Sequence, residues 1–334
     1  MLWCFKASRG LSVLRSAGRQ AFFLTGLTLA APASHGMDTL STVDDLLRQL
    51  SQAVQERNYR GRFTYEYGGA LDTLEVVHVV RDGLEYERLQ HLSGPSREVV
   101  RKGRPTSCVN TGGFLLRGGV FAPSAATDAG VRLNQHYHFY IRGEERVAGR
   151  VASLVQIAPK DDDRYGLTLA IDNISGLPLM WLSTSAQQKV LERLQFVELQ
   201  LEPPINEQDL APITRQYLAL TPQSSPCAKS AQEPARWSLG WLPSGFVLAQ
   251  VEHPQDQQEI LTYTDGIASF SVFIKPVASL EGVRRGLAMR GATLALMSGF
   301  TAENKAYSLV LTGEIPPQTA QQILATIEPG KAGS

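Results

Sequence analysis

The sequence is poor in the residues and motifs that mark most enzymes and nucleic-acid-binding proteins. Its 334 residues include only 3 cysteines and 6 histidines, and 32 Lys+Arg balance 32 Asp+Glu. Proteins that bind the phosphate backbone need a clustered basic surface, so this balance gives no argument for nucleic acid as a partner. Hydrophobic residues make up 43% and charged residues 19%. That ordinary composition excludes a wholly disordered or collagen-like chain.

Motifs for catalysis or cofactor binding are also missing from the sequence. It contains no G-x-x-x-x-G-K-[ST] phosphate loop, no G-x-S-x-G and no H-E-x-x-H. His136 and His138 would share one face of a strand and could begin a metal site, but no third ligand follows at a recognisable spacing. The acidic run 161–163 lacks the glycine and distal glutamate of a calcium loop and indicates a solvated turn. We therefore predict that the protein is not an enzyme and that it has no catalytic residue, no metal and no cofactor.

The first 33 residues have the three-part pattern of a secretory signal peptide. Basic residues precede an uncharged run at 21–30, and Ala-Pro-Ala at 31–33 supplies an A-x-A cleavage site. The alternative is a membrane anchor, but a span needs roughly 20 apolar residues and this run is shorter. We predict export and cleavage. Because residues 1–33 hold four basic and no acidic residues, 32 less 4 leaves 28 basic against 32 acidic residues, a net charge near −4.

Cleavage would remove Cys4 and leave Cys108 and Cys227. In an oxidising compartment these two residues could form one disulfide, which would restrain the domains that they link. Only the geometry of the fold decides whether their Cα atoms come close enough. A bridged pair and two separate thiols both remain open.

Residues 40–199 predict one amphipathic helix followed by a long antiparallel meander. Apolar residues recur at three and four over 40–57, and the period then changes to two, with turn signals such as Gly68-Gly69 and Asp82-Gly83 between short strands. A doubly wound parallel sheet needs a helix at almost every crossover, so it is excluded. The pattern predicts an α+β fold with a strongly curved antiparallel sheet, a half-barrel, and covering helices.

Composition also divides the chain into domains. We predict a curved-sheet domain at 38–202, a linker rich in Pro, Ser and Gln at 203–236, and a smaller α+β domain at 237–330. The second domain should contain several strands and a proline-initiated helix at 316–327.

Two groups of aromatic residues are candidates for a lipid-sized cavity on the concave face of the sheet. Phe63, Tyr65 and Tyr67 share one strand face, and Tyr137 and Phe139 share another. Half-buried strands also use aromatic residues as ordinary core, so both interpretations stay open.

Several short segments, in this order, resemble the MucB/RseB family of periplasmic sigma-E regulatory proteins. In the first domain they are Gly-Pro-Ser-Arg-Glu-Val-Val (94–100), Arg-Val-Ala-Gly-Arg (146–150), Asp-Arg-Tyr-Gly (163–166), Asp172 and Gly-Leu-Pro-Leu (176–179). In the second domain they are Trp-Leu-Pro-Ser-Gly-Phe (241–246), Tyr-Thr-Asp-Gly-Ile-Ala-Ser-Phe-Ser-Val (263–272) and Gly-Glu-Ile-Pro-Pro-Gln-Thr-Ala (313–320). The resemblance covers nearly the whole chain that follows the predicted signal peptide.

This resemblance implies a periplasmic regulator that binds the periplasmic segment of a membrane anti-sigma factor of the RseA/MucA type and shields it from proteases. It also implies a first domain similar to the lipoprotein carriers LolA and LolB, in which lipid or lipopolysaccharide causes release. Partner contact should involve the second domain, where the candidates are Trp237, Trp241, Phe246, Phe270 and Phe273, although aromatic residues fill cores as well. The alternative is a pure lipid or lipoprotein carrier, and self-association is left open.

Overall fold

The structure is a computed structural model that describes residues 38–105, 133–215, 217–220, 234–254 and 257–330. In these ranges no helix combines the length and the apolar character needed to cross a membrane.

The chain begins, within these ranges, with an amphipathic helix, α1 (Asp38–Glu56). Its apolar stripe is buried in the core of the first domain, with Val43, Leu47 and Leu50 almost fully covered. The opposite face carries charged residues, among them the exposed pair Asp45–Arg48. The helix predicted from the apolar spacing is therefore confirmed, because its stripe faces a sheet rather than solvent.

A ten-stranded sheet follows the helix. Its strands are β1 (Tyr59–Tyr67), β2 (Ala70–Arg81), β3 (Leu84–His91), β4 (Glu98–Pro105), β5 (Tyr137–Val147), β6 (Arg150–Pro159), β7 (Gly166–Asp172), β8 (Pro178–Thr184), β9 (Val190–Leu201) and β10 (Leu218–Leu220). Their order is β10-β4-β3-β2-β1-β9-β8-β7-β6-β5, and a short helix, α2 (Leu133–His136), precedes β5. All neighbours are antiparallel except β10 and β4, which are parallel.

The sheet curves around α1. Val99 of β4 and Tyr137 of β5, from opposite parts of the strand order, join the same core as the helix residues. A flat sheet of this width could not bring them to one helix, so the predicted strongly curved antiparallel sheet is confirmed. Because neighbours alternate in direction, the starts of β2, β5 and β9 and the ends of β1 and β6 lie at one end of the sheet. We call this the docking end.

The first part of the predicted linker lies on the outer face of this sheet. Leu210 is buried against Val77 and Val79. Glu98 accepts hydrogen bonds from the backbone of Ile213 and Thr214, and β10 then pairs with β4. Arg60 also pairs with Asp209, and Arg88 donates to the carbonyl oxygen of Asp209 at 2.7 Å. Composition indicated a linker here, but these contacts hold the segment on the sheet.

The smaller domain contains a six-stranded antiparallel sheet of order β12-β13-β14-β17-β16-β15. Its strands are β12 (Val247–Glu252), β13 (Glu259–Thr264), β14 (Ser269–Val277), β15 (Gly286–Arg290), β16 (Thr293–Ala302) and β17 (Lys305–Gly313). A two-stranded ribbon pairs β11 (Trp237–Leu239) with β18 (Ile327–Pro329). The helix α3 (Pro317–Ala325) contributes Ala320, Ile323 and Leu324 to the core. This agrees with the predicted proline-initiated helix and the predicted smaller α+β domain.

Candidate functional site

The five aromatic residues predicted for the lipid cavity come together in the core of the first domain. Phe63, Tyr65 and Tyr137 are buried there, and Tyr67 and Phe139 pack against them at its margin. The ring of Phe63 lies 5.5 Å from that of Phe196, and Tyr65 stacks on Tyr67 at 4.7 Å. The structure thus places them on one concave surface, as predicted, while their role in lipid binding stays a prediction.

One apolar space beside this core lies at the end of the sheet opposite the docking end. The apolar space lined by Tyr59, Leu177, Pro178, Phe196 and Leu199 has an empty volume of about 170 Å³, none of it wide enough for a water molecule. Ligand pockets typically have roughly 300–1,000 Å³. This space as it stands is therefore too small for a lipid acyl chain.

A buried polar cluster at the end of the sheet opposite the docking end has no counterpart in the sequence predictions. His78, Glu85 and Glu87 bring their ligand-type atoms within 4.8 Å of one another. Arg101 pairs with Glu87, and Nδ1 of His78 lies 3.0 Å from the carbonyl oxygen of Arg57. The cluster joins the buried ion pair of Arg101 and Glu87 to His78, whose Nε2 lies 3.5 Å from Oε1 of Glu85. Alternation in β3 put both glutamates on one face, and that was the available signal.

Of the partner-binding candidates, only one is well exposed. Phe246, Phe270 and Trp237 belong to the core of the smaller domain, and Trp241 packs against that core. Phe273 is 39% exposed on the opposite face of the sheet. The geometry favours the core interpretation for the first four residues, and the partner-binding role of the set stays a prediction.

The structure tests the histidine prediction but not the cysteine prediction. Cys108 and Cys227 lie outside the described residues. His136 ends the helix α2 and His138 lies in β5, so the prediction that they share a strand face is wrong. The ring of His136 instead lies against Gly245 of the smaller domain, where an added Cβ would come 2.4 Å from Nε2.

Arg164 forms the centre of a buried contact between the two domains. This residue lies in the turn between β6 and β7 at the docking end, and its side chain is fully buried. Its Nε donates to Oδ2 of Asp265 at 2.8 Å, Nη1 donates to Asp161 at 2.8 Å, and Nη2 donates to the carbonyl oxygen of Ser244. Two of the guanidinium donors thus join the large domain to two segments of the smaller one, and the third, to Asp161, fixes the guanidinium within the large domain.

Asp265 is the acceptor of this contact. Its Oδ2 also accepts the hydroxyl of Tyr137 at 2.7 Å, and its Oδ1 accepts the backbone N–H groups of Ile267 and Ala268. Burial raises the pKa of Asp265, while the hydrogen bond from Tyr137 and the charge of Arg164 act in the opposite direction. Burial and the charge of Asp265 hold the pKa of Tyr137 well above its usual value, so the phenol keeps its proton and donates it.

A second contact lies further along the docking end. Tyr65 donates to Oε2 of Glu192 at 2.8 Å, and the backbone N–H of Ala292 donates to the same oxygen at 3.2 Å. Arg290 lies over the ring of Tyr67 at 4.5 Å and is 3.4 Å from Asp72. Burial and Glu192 raise the pKa of Tyr65, so this phenol is a donor as well. We call these two contacts together the domain seat.

Both halves of the domain seat lie in short segments that carried the family resemblance, but the sequence does not show that they meet. Asp-Arg-Tyr-Gly at 163–166 supplies Arg164, and Tyr-Thr-Asp-Gly-Ile-Ala at 263–268 supplies Asp265. They lie 101 positions apart, and each segment alone predicts only a turn. The signal in the sequence that these turns could pair was a charged residue of opposite sign in each of them, Arg164 and Asp265.

Two family models match the chain, one after the other. The MucB/RseB N-terminal domain matches residues 42–214, and the MucB/RseB C-terminal domain matches residues 231–328. The chain belongs to the MucB/RseB family. The family resemblance drawn from the ordered segments is thereby confirmed.

Curated relatives match over most of their length. The sigma factor AlgU regulatory protein MucB of Pseudomonas aeruginosa is 32% identical over 319 residues, which are 92% of this chain and 96% of that protein. The sigma-E factor regulatory protein RseB of Haemophilus influenzae is 27% identical over 297 residues, 84% of this chain and 90% of its own. The RseB protein of Escherichia coli is 27% identical over 303 residues, 86% of this chain and 91% of its own.

Solved structures of the family share the fold. The complex structure of Pseudomonas aeruginosa MucA/MucB matches with a TM-score of 0.66 at 30% identity, covering 87% of this chain and 100% of that chain. A crystal structure of MucB in complex with MucA(peri) matches with a TM-score of 0.64 at 31% identity, covering 86% and 99%.

Proposed function

We propose that this chain is an exported, non-catalytic regulator of an envelope-stress sigma factor. It binds the periplasmic segment of a membrane anti-sigma factor of the RseA/MucA type and protects that segment from proteolysis. Lipid or lipopolysaccharide that enters the large domain releases the partner. The signal-peptide pattern at residues 1–33 supports export to the periplasm.

One observation carries this proposal. The similarity to MucB of Pseudomonas aeruginosa extends over both domains, and that protein has been solved in complex with MucA. A relative that shared only the large domain would support a carrier equally well. The alternative proposal, a pure lipid or lipoprotein carrier, leaves the second family match at residues 231–328 without a role.

Calorimetric titration tests partner binding. A synthetic peptide of the cognate anti-sigma factor's periplasmic segment is titrated into residues 34–334, alone and with lipopolysaccharide present. We expect saturable binding that weakens when lipopolysaccharide is added. An absence of peptide binding by protein that takes up lipid would remove the regulator proposal and leave the carrier.

Phe273 is the candidate contact that can be changed without opening the core. Phe273→Ala should weaken peptide binding about tenfold or more, because an aromatic hot spot is worth about 2 kcal/mol or more and 1.4 kcal/mol is tenfold. Leu248→Ala is the matched control, since Leu248 is a similarly exposed apolar residue, 44% against 39%, on strand β12 of the same sheet. Equal affinity of both variants would remove Phe273 from the partner surface.

A further inference from the structure

We propose that the smaller domain caps the docking end of the large domain, and that an apolar ligand enters the large-domain core from this end when the cap lifts. Tyr65 and Tyr137 couple the two events. This inference rests on the proposed lipid binding and names how it is regulated.

The first support is the position of every contact in the domain seat. Tyr137 starts β5, Arg164 follows β6, Glu192 starts β9 and Asp72 starts β2. Antiparallel pairing puts all of these at the same end of the curved sheet. Two tight turns of the smaller domain, at 265–268 and 291–292, make the contacts on its side. The smaller domain therefore covers the end of the sheet rather than one of its faces.

The second support is that the cores of the two domains meet at one of these turns. Ile267 packs against the core of the large domain, while its neighbour Ala268 is buried in the core of the smaller domain. A turn that only bridged two surfaces would place polar side chains here. Ile267 instead packs its apolar side chain against the large-domain core at the docking end.

The third support is the double role of the tyrosines. The rings of Tyr65 and Tyr137 belong to the large-domain core. The hydroxyl of Tyr137 donates directly to Asp265 of the smaller domain, whereas that of Tyr65 donates to Glu192, the large-domain carboxylate that also accepts the N–H of Ala292. Tyr65 and Tyr137 are only 5% and 2% exposed, so a ligand that enters the core at this end must displace one of these rings. An acyl chain that moves either ring therefore also breaks a hydrogen bond of the domain seat.

Linkage turns this geometry into a quantitative statement. If ligand binding favours the lifted cap, then holding the cap closed must weaken ligand binding by the same factor. Coupling factors between sites typically lie at about 5- to 150-fold. The smaller domain would thereby report the filling of the large-domain core to a bound partner.

A reversible crosslink tests the cap. A Cβ added at Gly291 lies 3.0 Å from the Cβ of Glu192, nearer than the roughly 3.5–4.5 Å that a disulfide spans, and Gly291 has φ +61°, so the turn shifts by a few tenths of an ångström when the bond forms. We would make Glu192→Cys with Gly291→Cys in residues 34–334, with Cys108 and Cys227 replaced by serine. The probe is N-phenyl-1-naphthylamine, whose fluorescence rises in an apolar site, displaced by palmitoyl lysophosphatidylethanolamine. Oxidised and reduced forms of the same polypeptide are compared.

The reduced protein should take up the probe, and the oxidised protein should take it up at least about tenfold more slowly or more weakly. The reciprocal result is that the lysophospholipid slows formation of the 192–291 disulfide. Equal uptake by both forms would overturn the cap while leaving lipid binding intact. If neither the reduced protein nor the serine background takes up probe or lysophospholipid, the lipid part of the proposed function falls, and the cap falls with it.

Tyr137→Phe separates coupling from simple stability. The variant keeps the ring in the core and removes only the hydroxyl that Asp265 accepts, so the uptake rate should rise severalfold. Tyr140→Phe on the same strand is the matched control, because Tyr140 is 39% exposed and should leave the rate unchanged. An unchanged uptake rate in Tyr137→Phe would exclude this hydroxyl from the coupling.

Discussion

Replacing Arg164 with methionine should destabilise the protein by about 3 kcal/mol. Removing one partner of a buried ion pair typically costs about 3–5 kcal/mol, because the remaining charge is left buried without compensation. Asp265 would keep its hydrogen bonds from Tyr137 and from two backbone N–H groups, which puts the expected loss at the lower end. At roughly 2–4 °C per kcal/mol for a domain of 150–250 residues, the melting temperature should fall by about 6–12 °C.

The loss should depend on pH in a defined direction. Burial already raises the pKa of Asp265, and removal of Arg164 takes away one of the influences that lower it. Protonated Asp265 needs no counter-charge, so the stability difference between wild type and Arg164→Met should shrink as the pH falls through the raised pKa. Arg164→Lys keeps the charge but cannot reach three acceptors at once, and its stability should lie between the two.

The assay is scanning calorimetry of residues 34–334, combined with a double-mutant cycle of Arg164→Met and Asp265→Asn. Arg150→Met is the control, because Arg150 makes a two-bonded pair with Asp172 inside the large domain. Its loss should lower the melting temperature but leave the rate of 192–291 crosslinking unchanged, whereas Arg164→Met should slow that crosslinking. Additive effects of the two cycle variants, or an unchanged melting temperature in Arg164→Met, would refute the reasoning.

Three further predictions concern the domains themselves. Gly245→Ala should cost more than about 1 kcal/mol in urea unfolding, because Gly245 has φ +89° and its added Cβ meets His136. Gly68→Ala, with φ +53° and nothing within 4 Å of the added Cβ, should cost less, and equal losses would remove the steric argument. Leu50→Ala should lose about 2–5 kcal/mol, while Leu71→Ala, at a 63% exposed position, should lose little; similar urea midpoints for both would contradict the packing of α1. Burial raises the pKa of Glu98, but hydrogen bonds from Thr214 and Ile213 outweigh this effect, so the pKa is lowered overall. The stabilisation from Glu98 is therefore complete above its unfolded pKa and is lost as the pH falls through the lowered value. The difference in unfolding free energy between wild type and Glu98→Gln should narrow in acid, and a difference that widened in acid would contradict this argument.

Local pattern predicted the elements of this fold well where one face of an element is buried. The three- and four-residue spacing of α1 and the alternation in β1 to β3 both record such a face, and those elements lie where they were expected. Strand β15 was not predicted, because all five of its residues are exposed and no alternation arises. The segment around Leu210 was predicted as linker, since composition does not show that a buried leucine and an ion pair between Asp209 and Arg60 hold it against the sheet.

The same distinction applies to the candidate site. Alternation alone put Phe63, Tyr65 and Tyr67 on one face, and the ordered short segments were enough to indicate the family. Sequence could not show that Tyr137 and Arg164 meet Asp265, because contacts between turns more than a hundred residues apart leave no periodicity in the chain. Periodicity determined which side chains face inward. Only the tertiary structure decided that the second domain contacts the docking end, since that depends on how two separately formed sheets pack together.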